Sequence, residues 1–322
     1  MTDQEQPENS PRSVYITGGA TTTGLTIIGQ LVADGHTVTA HALTSKEANT
    51  LRGAGALPVY GDRDDMAVTH GNIKMAEADT VVHLAPMRIN TAPLARGGRD
   101  AQAAEYAKEV AAVVEAAKQA EVQYFVLTSF AFLYADSAEA VDETAPSRSA
   151  GDVTLFAGAL AAEKAVLEMG GCVLRVGYLY SDDEDDAMHK LMTQLRRGLP
   201  MLHGAPGNKA NWLREEDMAP AVLAATTTEH AGKTFNIVSD SAMSEYDFTS
   251  SFAEQVGLNL PRPLPGFLAN NAYDGTYIAL LKTNVSAKND LAKAELGWEP
   301  QYPDVTASMD DLLLTWRASQ MA

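Results

Sequence analysis

The sequence has a single cysteine and few basic residues, and each shortage excludes a class of protein. Cys172 is the only cysteine among 322 residues, so neither an intrachain disulfide nor a thiolate-rich metal site can form. Lysine and arginine number 24 against 42 acidic residues, which gives a formal net charge of −18. A surface of this charge repels phosphate backbones and anionic lipid headgroups. We therefore expect neither a nucleic acid nor a membrane as a partner.

Long apolar runs are also absent. No stretch approaches the length that spans a bilayer. The first dozen residues are polar and interrupted by proline, without the apolar core of a secretion signal. We expect residues 1–12 to form a disordered tail and the protein to be cytoplasmic.

Residues 14–24 are the most informative stretch that is present. A β-branched and aromatic run ends at Gly18, and an amphipathic segment follows at once, which predicts a strand, a tight turn and a helix start. Such a turn presents backbone N–H groups to a dinucleotide pyrophosphate. Thr21 stands where the middle glycine of such loops lies, so its Cβ could block the phosphate or its hydroxyl could donate to it. The residues expected to bind the cofactor here are Gly18, Thr21, Thr22, Thr23 and Gly24.

Short apolar runs alternate with helical patterns from residue 14 to about residue 176. This alternation predicts an α/β fold with a doubly wound parallel Rossmann sheet. The runs are 14–17, 37–43, 57–60, 80–85, 124–129 and 172–176. We expect a dinucleotide-binding core at 13–177, completed by a strand at 234–238. Residues 178–233 and 239–322 would mainly form a small C-terminal substrate lobe over the carboxyl ends of the strands.

Two alanine-rich segments, 100–120 and 156–169, are typical of long helices. Their small-residue faces suit close helix packing, so we expect a homodimer formed through these two helices. Alanine also favours helix for its own sake, which explains the composition equally well.

In this order the motifs resemble those of the extended short-chain dehydrogenase/reductases, the NAD-dependent epimerase/dehydratase family, over about residues 13–316. The segments that carry the resemblance are the loop 17–24, Gly61-Asp62, 81–85, 115–118 followed by 124–129, 174–177, 214–217 and 296–300. The resemblance implies NAD or NADP as cofactor and a small-molecule substrate. It also implies that Asp62 holds the adenine amine and that Leu84 and Ala85 run beside the cofactor.

The catalytic residues of that family are not matched in type. Aligned on Tyr134, the family's second serine corresponds to Phe130, and Ser129 lies one residue early, on the opposite strand face unless a bulge re-aims it. The family's Tyr-x-x-x-Lys pair, in which an ammonium lowers the phenol pKa, corresponds to Leu155 and Ala159. None of the 11 tyrosines has a lysine four residues later.

Three functions remain open on this sequence. The favoured one is an atypical oxidoreductase on a small, partly apolar organic substrate, because Phe130 and Leu155 make the reaction centre apolar. The alternatives are a redox-neutral isomerase or lyase, and a noncatalytic nucleotide sensor or scaffold. If catalysis is retained, the candidate catalytic residues are Thr128, Ser129 and Tyr134.

The cofactor preference and the substrate contacts are weakly marked. The second strand is followed by Leu43-Thr44, which offers no acid for ribose hydroxyls and no arginine for a 2′-phosphate. Lys46 slightly favours NADP over NAD.

The acidic run 182–186 lacks the glycine and glutamate of a calcium loop, so we expect no metal site. The residues expected to contact substrate are Met87, Arg88, Tyr178 and Arg214.

Overall fold

A seven-stranded parallel sheet forms the centre of the computed structural model, which describes residues 11–85, 98–181, 187–198, 200–227 and 230–319. The strands are β1 Ser13–Thr17, β2 Thr37–Ala42, β3 Leu57–Tyr60, β4 Thr80–His83, β5 Tyr124–Phe130, β6 Cys172–Val176, β7 Tyr178–Tyr180, β8 Ala210–Arg214, β9 Thr234–Ile237 and β10 Ala242–Met243. The large sheet has the order β3-β2-β1-β4-β5-β6-β9, and β10, β8 and β7 form a separate three-stranded sheet.

Helices cover both faces of the large sheet. They are α1 Thr22–Ala33, α2 Ser45–Gly53, α3 Met66–Met75, α4 Gly98–Gln119, α5 Thr154–Glu168, α6 Ala187–Arg197, α7 Met218–Thr227, α8 Glu245–Gln255, α9 Gly266–Ala272, α10 Gly275–Leu281 and α11 Val305–Ser319. One apolar core joins the sheet to α3, α4 and α5, and a second joins its other face to α1, α2 and α7. The predicted doubly wound parallel Rossmann fold is therefore confirmed.

The strand ends differ from the prediction by one or two residues. The run 80–85 continues as strand only to His83, although the N–H of Leu84 still donates to the carbonyl of Thr17 at 3.1 Å. In contrast, β5 extends one residue further, to Phe130, which pairs with Val176 of β6. Apolar residues just beyond a strand remain buried after its backbone pairing with the neighbouring strand ends. Hydropathy alone therefore does not locate the last residue of a strand.

Helices α4 and α5 pack closely against each other within the chain. A Cβ placed on Gly158 would lie 2.7 Å from the Cβ of Ala107, so the glycine allows this approach. Part of the small-residue surface noted in the sequence is thus used inside one protomer. The predicted dimer through these helices stays a prediction.

The smaller sheet packs against α8 through stacked rings. Trp212 of β8 lies parallel to Phe248 with ring centroids 3.8 Å apart, and the indole N–H donates to the carbonyl of Met243 at 2.9 Å.

The predicted boundaries between the dinucleotide-binding core and the substrate lobe stay a prediction. Among the described residues, none of the helices has both the length and the apolar composition that crossing a bilayer requires.

Candidate functional site

The turn between β1 and α1 is built around two glycines that have no room for a side chain. Gly18 has a φ of +75°, and a Cβ there would lie 2.4 Å from the carbonyl oxygen of Leu84. A Cβ on Gly24 would lie 2.5 Å from the carbonyl oxygen of Gly19. Only glycine lets the turn pack against the end of β4 and against itself at these distances. The chain therefore enters α1 directly from β1.

Thr21, the residue in the middle glycine position, caps α1. Its backbone is extended, and its hydroxyl oxygen accepts the N–H of Gly24 at 3.1 Å. The Thr21 side chain is exposed, so its hydroxyl lies at the end of the helix where a partial positive charge favours anions. The turn thus accommodates threonine, and its geometry fits the pyrophosphate of a dinucleotide.

A cleft opens above this turn and contains about 740 Å³ of empty space, part of it open to solvent. We call it the β1–α1 cleft. Its lining residues are Gly18, Ala20, Thr21, Thr23, His41, Leu43, Glu47, Arg63, Leu84, Ala85, Leu179, Glu215 and Met218. It runs from the end of β2, past the glycine turn, to residues of β7 and α7.

The residues predicted to bind cofactor divide into two groups in this structure. Gly18, Thr21, Thr23, Leu84 and Ala85 line the β1–α1 cleft. Gly24 is buried within the turn, whereas Thr22 and Asp62 are exposed and do not line it.

A buried carboxylate lies beside the first turn of α1. Glu215 is 5% exposed, and its Oε1 accepts the hydroxyl hydrogen of Thr23 at 2.6 Å. It reduces the positive potential that the start of α1 would otherwise present. Glu215 was not among the predicted site residues. The acidic residues that follow β8 were visible in the sequence. The contact of Glu215 with Thr23 was not predictable, because the two residues are 192 positions apart in the chain.

The other end of the cleft carries charged and polar groups that were also missed. Arg63 Nη1 lies 3.0 Å from Glu109 Oε1, and the Glu109 side chain is 3% exposed. Burial raises the pKa of Glu109 to about 7, and the Arg63 charge opposes that rise. His41 Nε2 donates to the carbonyl of Gly61 at 2.7 Å, and burial is the main cause that lowers the pKa of His41. Glu47 lies in the first turn of α2.

A second cavity continues from the β1–α1 cleft and shares Ala85, Leu179 and Met218 with it. We call it the aromatic pocket. Its lining residues are Ala85, Thr128, Ser129, Phe130, Phe132, Val176, Gly177, Tyr178, Leu179 and Met218.

Stacked rings give the aromatic pocket its shape. Phe130 and Phe132 are stacked with centroids 4.8 Å apart, and Phe132 and Tyr178 are stacked at 5.6 Å. Tyr106 of α4 meets the Phe130 ring edge-on at 5.5 Å. These buried rings form an apolar wall along the pocket, which suits a small apolar or aromatic ligand.

The positions that align with the family's catalytic residues are apolar in the structure as in the sequence. Phe130 lines the aromatic pocket. Leu155 and Ala159 lie on α5 with no exposed surface, inside the core that joins the sheet to α4. Side chains at these three positions therefore offer no proton donor or acceptor.

Thr128 connects the ends of β4 and β5. Its Oγ1 accepts the N–H of Ala85 at 2.6 Å and lies 3.3 Å from the carbonyl oxygen of His83, to which it donates. This hydroxyl thereby positions Ala85, a residue that both cavities share.

Ser129 and Tyr134 belong to one buried network, and Ser129 also lines the aromatic pocket. Ser129 Oγ donates to Glu163 Oε1 at 2.6 Å, and Arg175 binds both Glu163 oxygens, at 3.0 and 2.6 Å. The Arg175 guanidinium lies 4.3 Å above the Tyr134 ring. The Tyr134 hydroxyl donates to Asn236 Oδ1 at 2.8 Å, and burial raises the pKa of Tyr134 to about 12. The structure does not bring Thr128, Ser129 and Tyr134 to one point.

Arg214, predicted to contact substrate, is engaged elsewhere. Its guanidinium pairs with Glu216 at 3.0 Å and with Asp311 at 2.6 Å, and it lies 3.8 Å above the Tyr302 ring. Arg214 lines neither the β1–α1 cleft nor the aromatic pocket. Its contacts join β8 to the C-terminal helix.

Tyr178 was predicted to contact substrate, and it lines the aromatic pocket. Burial raises the pKa of Tyr178 to about 12.

Met87, Arg88 and the acidic run 182–186 lie outside the described residues. Within the described ranges, no group of three or more histidine, cysteine or acidic side chains could hold a metal ion.

Comparison with known proteins gives a consistent result at the level of the family. The model of the NAD dependent epimerase/dehydratase family matches residues 14–238. A Streptomyces protein described as 3-diazoavenalumate denitrifying reductase is 29% identical over 306 residues, which cover 90% of this chain and 96% of that protein.

Solved structures share the fold over nearly the whole chain. MoeE5 in complex with UDP-glucose and NAD is 22% identical, with a TM-score of 0.69, covering 96% of this chain and 99% of its own. UDP-glucose 4-epimerase from Thermotoga maritima with UDP-glucose is 18% identical, with a TM-score of 0.72 and coverages of 95% and 99%. WbmG from Bordetella bronchiseptica with NAD is 18% identical, with a TM-score of 0.70 and coverages of 98% and 96%.

Proposed function

This chain belongs to the NAD-dependent epimerase/dehydratase family, and from that membership we propose that it is an NAD(P)H-dependent reductase of a small planar aromatic compound. The observation that carries the proposal is the aromatic pocket. The stacked rings of Phe130, Phe132 and Tyr178 lie beside a cleft whose glycine turn fits a dinucleotide. A flat aromatic substrate at the mouth of this pocket would contact these rings while its reacting atom faces the cleft.

The residues that would hold the cofactor line the β1–α1 cleft. Thr21 and the start of α1 would bind the pyrophosphate, and Leu84 and Ala85 would support the part of the cofactor nearest the aromatic pocket. When bound, a reduced pyridine dinucleotide supplies a hydride. The apolar residues at the junction of the two cavities would keep water away from the substrate.

The absence of a proton donor at the aligned positions narrows the substrate class. Reduction of a ketone to an alcohol requires a proton on oxygen, which a phenol–ammonium pair supplies. Leu155 and Ala159 cannot supply one, because both side chains are apolar and fully buried. We therefore propose an electrophile that accepts a hydride without a proton.

An aryl diazonium ion meets this condition. A hydride bonds to the ring carbon, the carbon–nitrogen bond breaks with its electron pair leaving on nitrogen, and dinitrogen departs while no proton is consumed. The 29%-identical Streptomyces relative is named as a denitrifying reductase of a diazo compound, which supports this class.

A substrate panel tests the proposal. The purified chain is incubated with NADH or NADPH and with an aryl diazonium salt, an aryl ketone of the same skeleton, or UDP-glucose, alongside protein-free controls. We expect enzyme-dependent dinitrogen release equal to the dinucleotide oxidised. Dinucleotide deuterated at the transferable position should place deuterium on the ring carbon. Preferred turnover of the ketone or of UDP-glucose would overturn the proposal. Dinucleotide binding with no turnover of any substrate would instead support the nucleotide sensor.

Variants of two phenylalanines test the pocket itself. Phe130→Ala removes a stacked ring from the aromatic pocket, and we expect kcat/KM for the diazonium to fall roughly tenfold. Phe267→Ala is the matched control, because Phe267 is 81% exposed on α9 and lines neither cavity. Equal activities of the two variants would contradict a substrate role for the pocket.

A further inference from the structure

The β1–α1 cleft ends beside β2, where the side chains of Leu43, Thr44 and Ser45 offer no carboxylate. The start of α2 supplies one from further along the chain. Thr44 caps α2, and its hydroxyl accepts the N–H of Glu47 at 3.2 Å. The Glu47 side chain returns toward the strand, and its Oε2 accepts the N–H of Leu43 at 2.8 Å. The capped turn therefore brings a carboxylate to the end of β2.

This carboxylate faces the cleft. Glu47 is a lining residue together with His41 and Leu43. One of its oxygens binds the backbone of Leu43, and the other accepts no hydrogen bond from the residues that the structure describes. In dinucleotide-binding folds, an acid about 20 residues beyond the glycine loop accepts the ribose hydroxyls of NAD. Glu47 lies at that end of the cleft although the strand itself ends without an acid.

We propose that Glu47 holds the adenosine ribose and makes this chain select NAD(H) over NADP(H). The inference rests on the proposed function, since it requires that a pyridine dinucleotide binds in the cleft. A 2′-phosphate on the ribose would replace a hydroxyl that donates to the carboxylate with a group of like charge. The same side chain thus attracts one cofactor and repels the other.

The cations of this region are either paired already or lie outside the cleft. Arg63 is the one lysine or arginine among the described lining residues, and its guanidinium pairs with the buried Glu109 at 3.0 Å. Lys46, on which the sequence-based lean to NADP depended, is exposed and does not line the cleft. Burial is the main cause that lowers the pKa of His41 and so disfavours its charged form, and its Nε2 hydrogen is used by the carbonyl of Gly61.

Calorimetric titration of the purified full chain with NADH and with NADPH tests the inference without an assay of activity. We expect the wild type to bind NADH at least tenfold more tightly than NADPH. Glu47→Gln should weaken NADH binding about tenfold and strengthen NADPH binding several-fold, because hydrogen bonds to a charged acceptor are the stronger ones. Lys46→Ala, on the same helix, is the matched control and should leave both affinities unchanged.

A second variant distinguishes the effect of the Glu47 charge from a loss of folding. Glu47→Asp keeps the charge, so it should still bind NADPH poorly, whereas Glu47→Gln should not. Melting temperatures within a few degrees of the wild type would establish that both variants are folded. The inference would be overturned if the wild type bound NADPH more tightly than NADH and Arg63→Gln abolished this preference. Arg63 would then be the residue that binds the 2′-phosphate. Binding of neither dinucleotide would overturn the proposed function, and this inference with it.

Discussion

His83 is a buried histidine whose surroundings favour the neutral form. It lies at the end of β4, its Nδ1 is 2.6 Å from Thr17 Oγ1, and its Nε2 has no hydrogen-bond partner among the described residues. Burial lowers the pKa of His83 from 6.5 to about 3, with a smaller effect from the Arg63 charge. Between these two pH values the unfolded chain binds more protons than the folded one. The contribution of His83 to stability is therefore complete above about pH 6.5 and decreases as the pH falls toward 3.

His83→Gln should remove this dependence, because glutamine can still reach the Thr17 hydroxyl and does not titrate. Below about pH 6, the wild type should lose about 1.4 kcal/mol of unfolding free energy per pH unit more than the variant does. Urea unfolding of both proteins at several pH values from neutral to mildly acidic measures the difference. Parallel curves for the two proteins would contradict the assignment.

Individual residue types were readable from the sequence, but their partners were not. Strand alternation predicts that Ser129 and Phe130 lie on opposite faces of β5. It does not predict that Ser129 meets Glu163, 34 positions later, or that Tyr134 meets Asn236, 102 positions later. These partners come from packing between separate elements. The roles suggested for Ser129 and Tyr134 remain predictions, and each hydroxyl already has a buried partner.

At the scale of elements, the β1–α1 turn shows how a departure from the family pattern is accommodated. The Thr21 hydroxyl accepts the N–H of Gly24 and so caps the start of α1. Loss of such a cap costs about 1 kcal/mol. We expect Thr21→Ala to be destabilised by about that amount and Thr21→Ser to match the wild type, as measured by urea unfolding. An alanine variant as stable as the serine variant would show that the cap contributes nothing.

The elements themselves were largely predictable, because period-two and helical patterns reflect burial on one face or stripe. Helices expected at 100–120 and 156–169 are Gly98–Gln119 and Thr154–Glu168. The fold of Glu47 back onto Leu43 was not predictable from the absence of an acid at the end of β2. A side chain one helical turn away can serve the same place once a cap sets the direction of the helix.

At the scale of the whole molecule, the exposed sides of α4 and α5 are candidates for contact with a second copy. Exposed small residues such as Ala104, Ala111 and Ala161 lie on these helices. Two copies packed through them would have twice the mass of 34.3 kDa. We expect light scattering during gel filtration to give that doubled mass at micromolar concentration.

A pair of arginine substitutions separates this interface from the rest of the surface. Ala161→Arg places a long charged side chain on the exposed side of α5 and should yield monomers. Ala67→Arg, at an exposed alanine on α3, should leave the dimer intact. Monomers of the wild type at all concentrations, or dimers of both variants, would contradict the predicted interface.

The sequence by itself determined the class of fold and the position of the glycine turn. Alternating apolar runs specify buried strands between amphipathic helices, and Gly18 and Gly24 occupy sites where no side chain fits. The sequence also determined that no tyrosine precedes a lysine at the spacing of the family's catalytic pair. These properties depend on residues close together in the chain, so the order of residues in the sequence is enough to predict them.

Only the tertiary structure decided which side chains share a cavity. Glu215 reaches Thr23 across 192 positions, and Tyr178 joins the rings of Phe130 and Phe132 because β6 pairs with β5 and leads directly into β7. The chemical character of a site depends on distances between segments far apart in the chain. Those distances are set by strand order and by close packing, which no local pattern encodes.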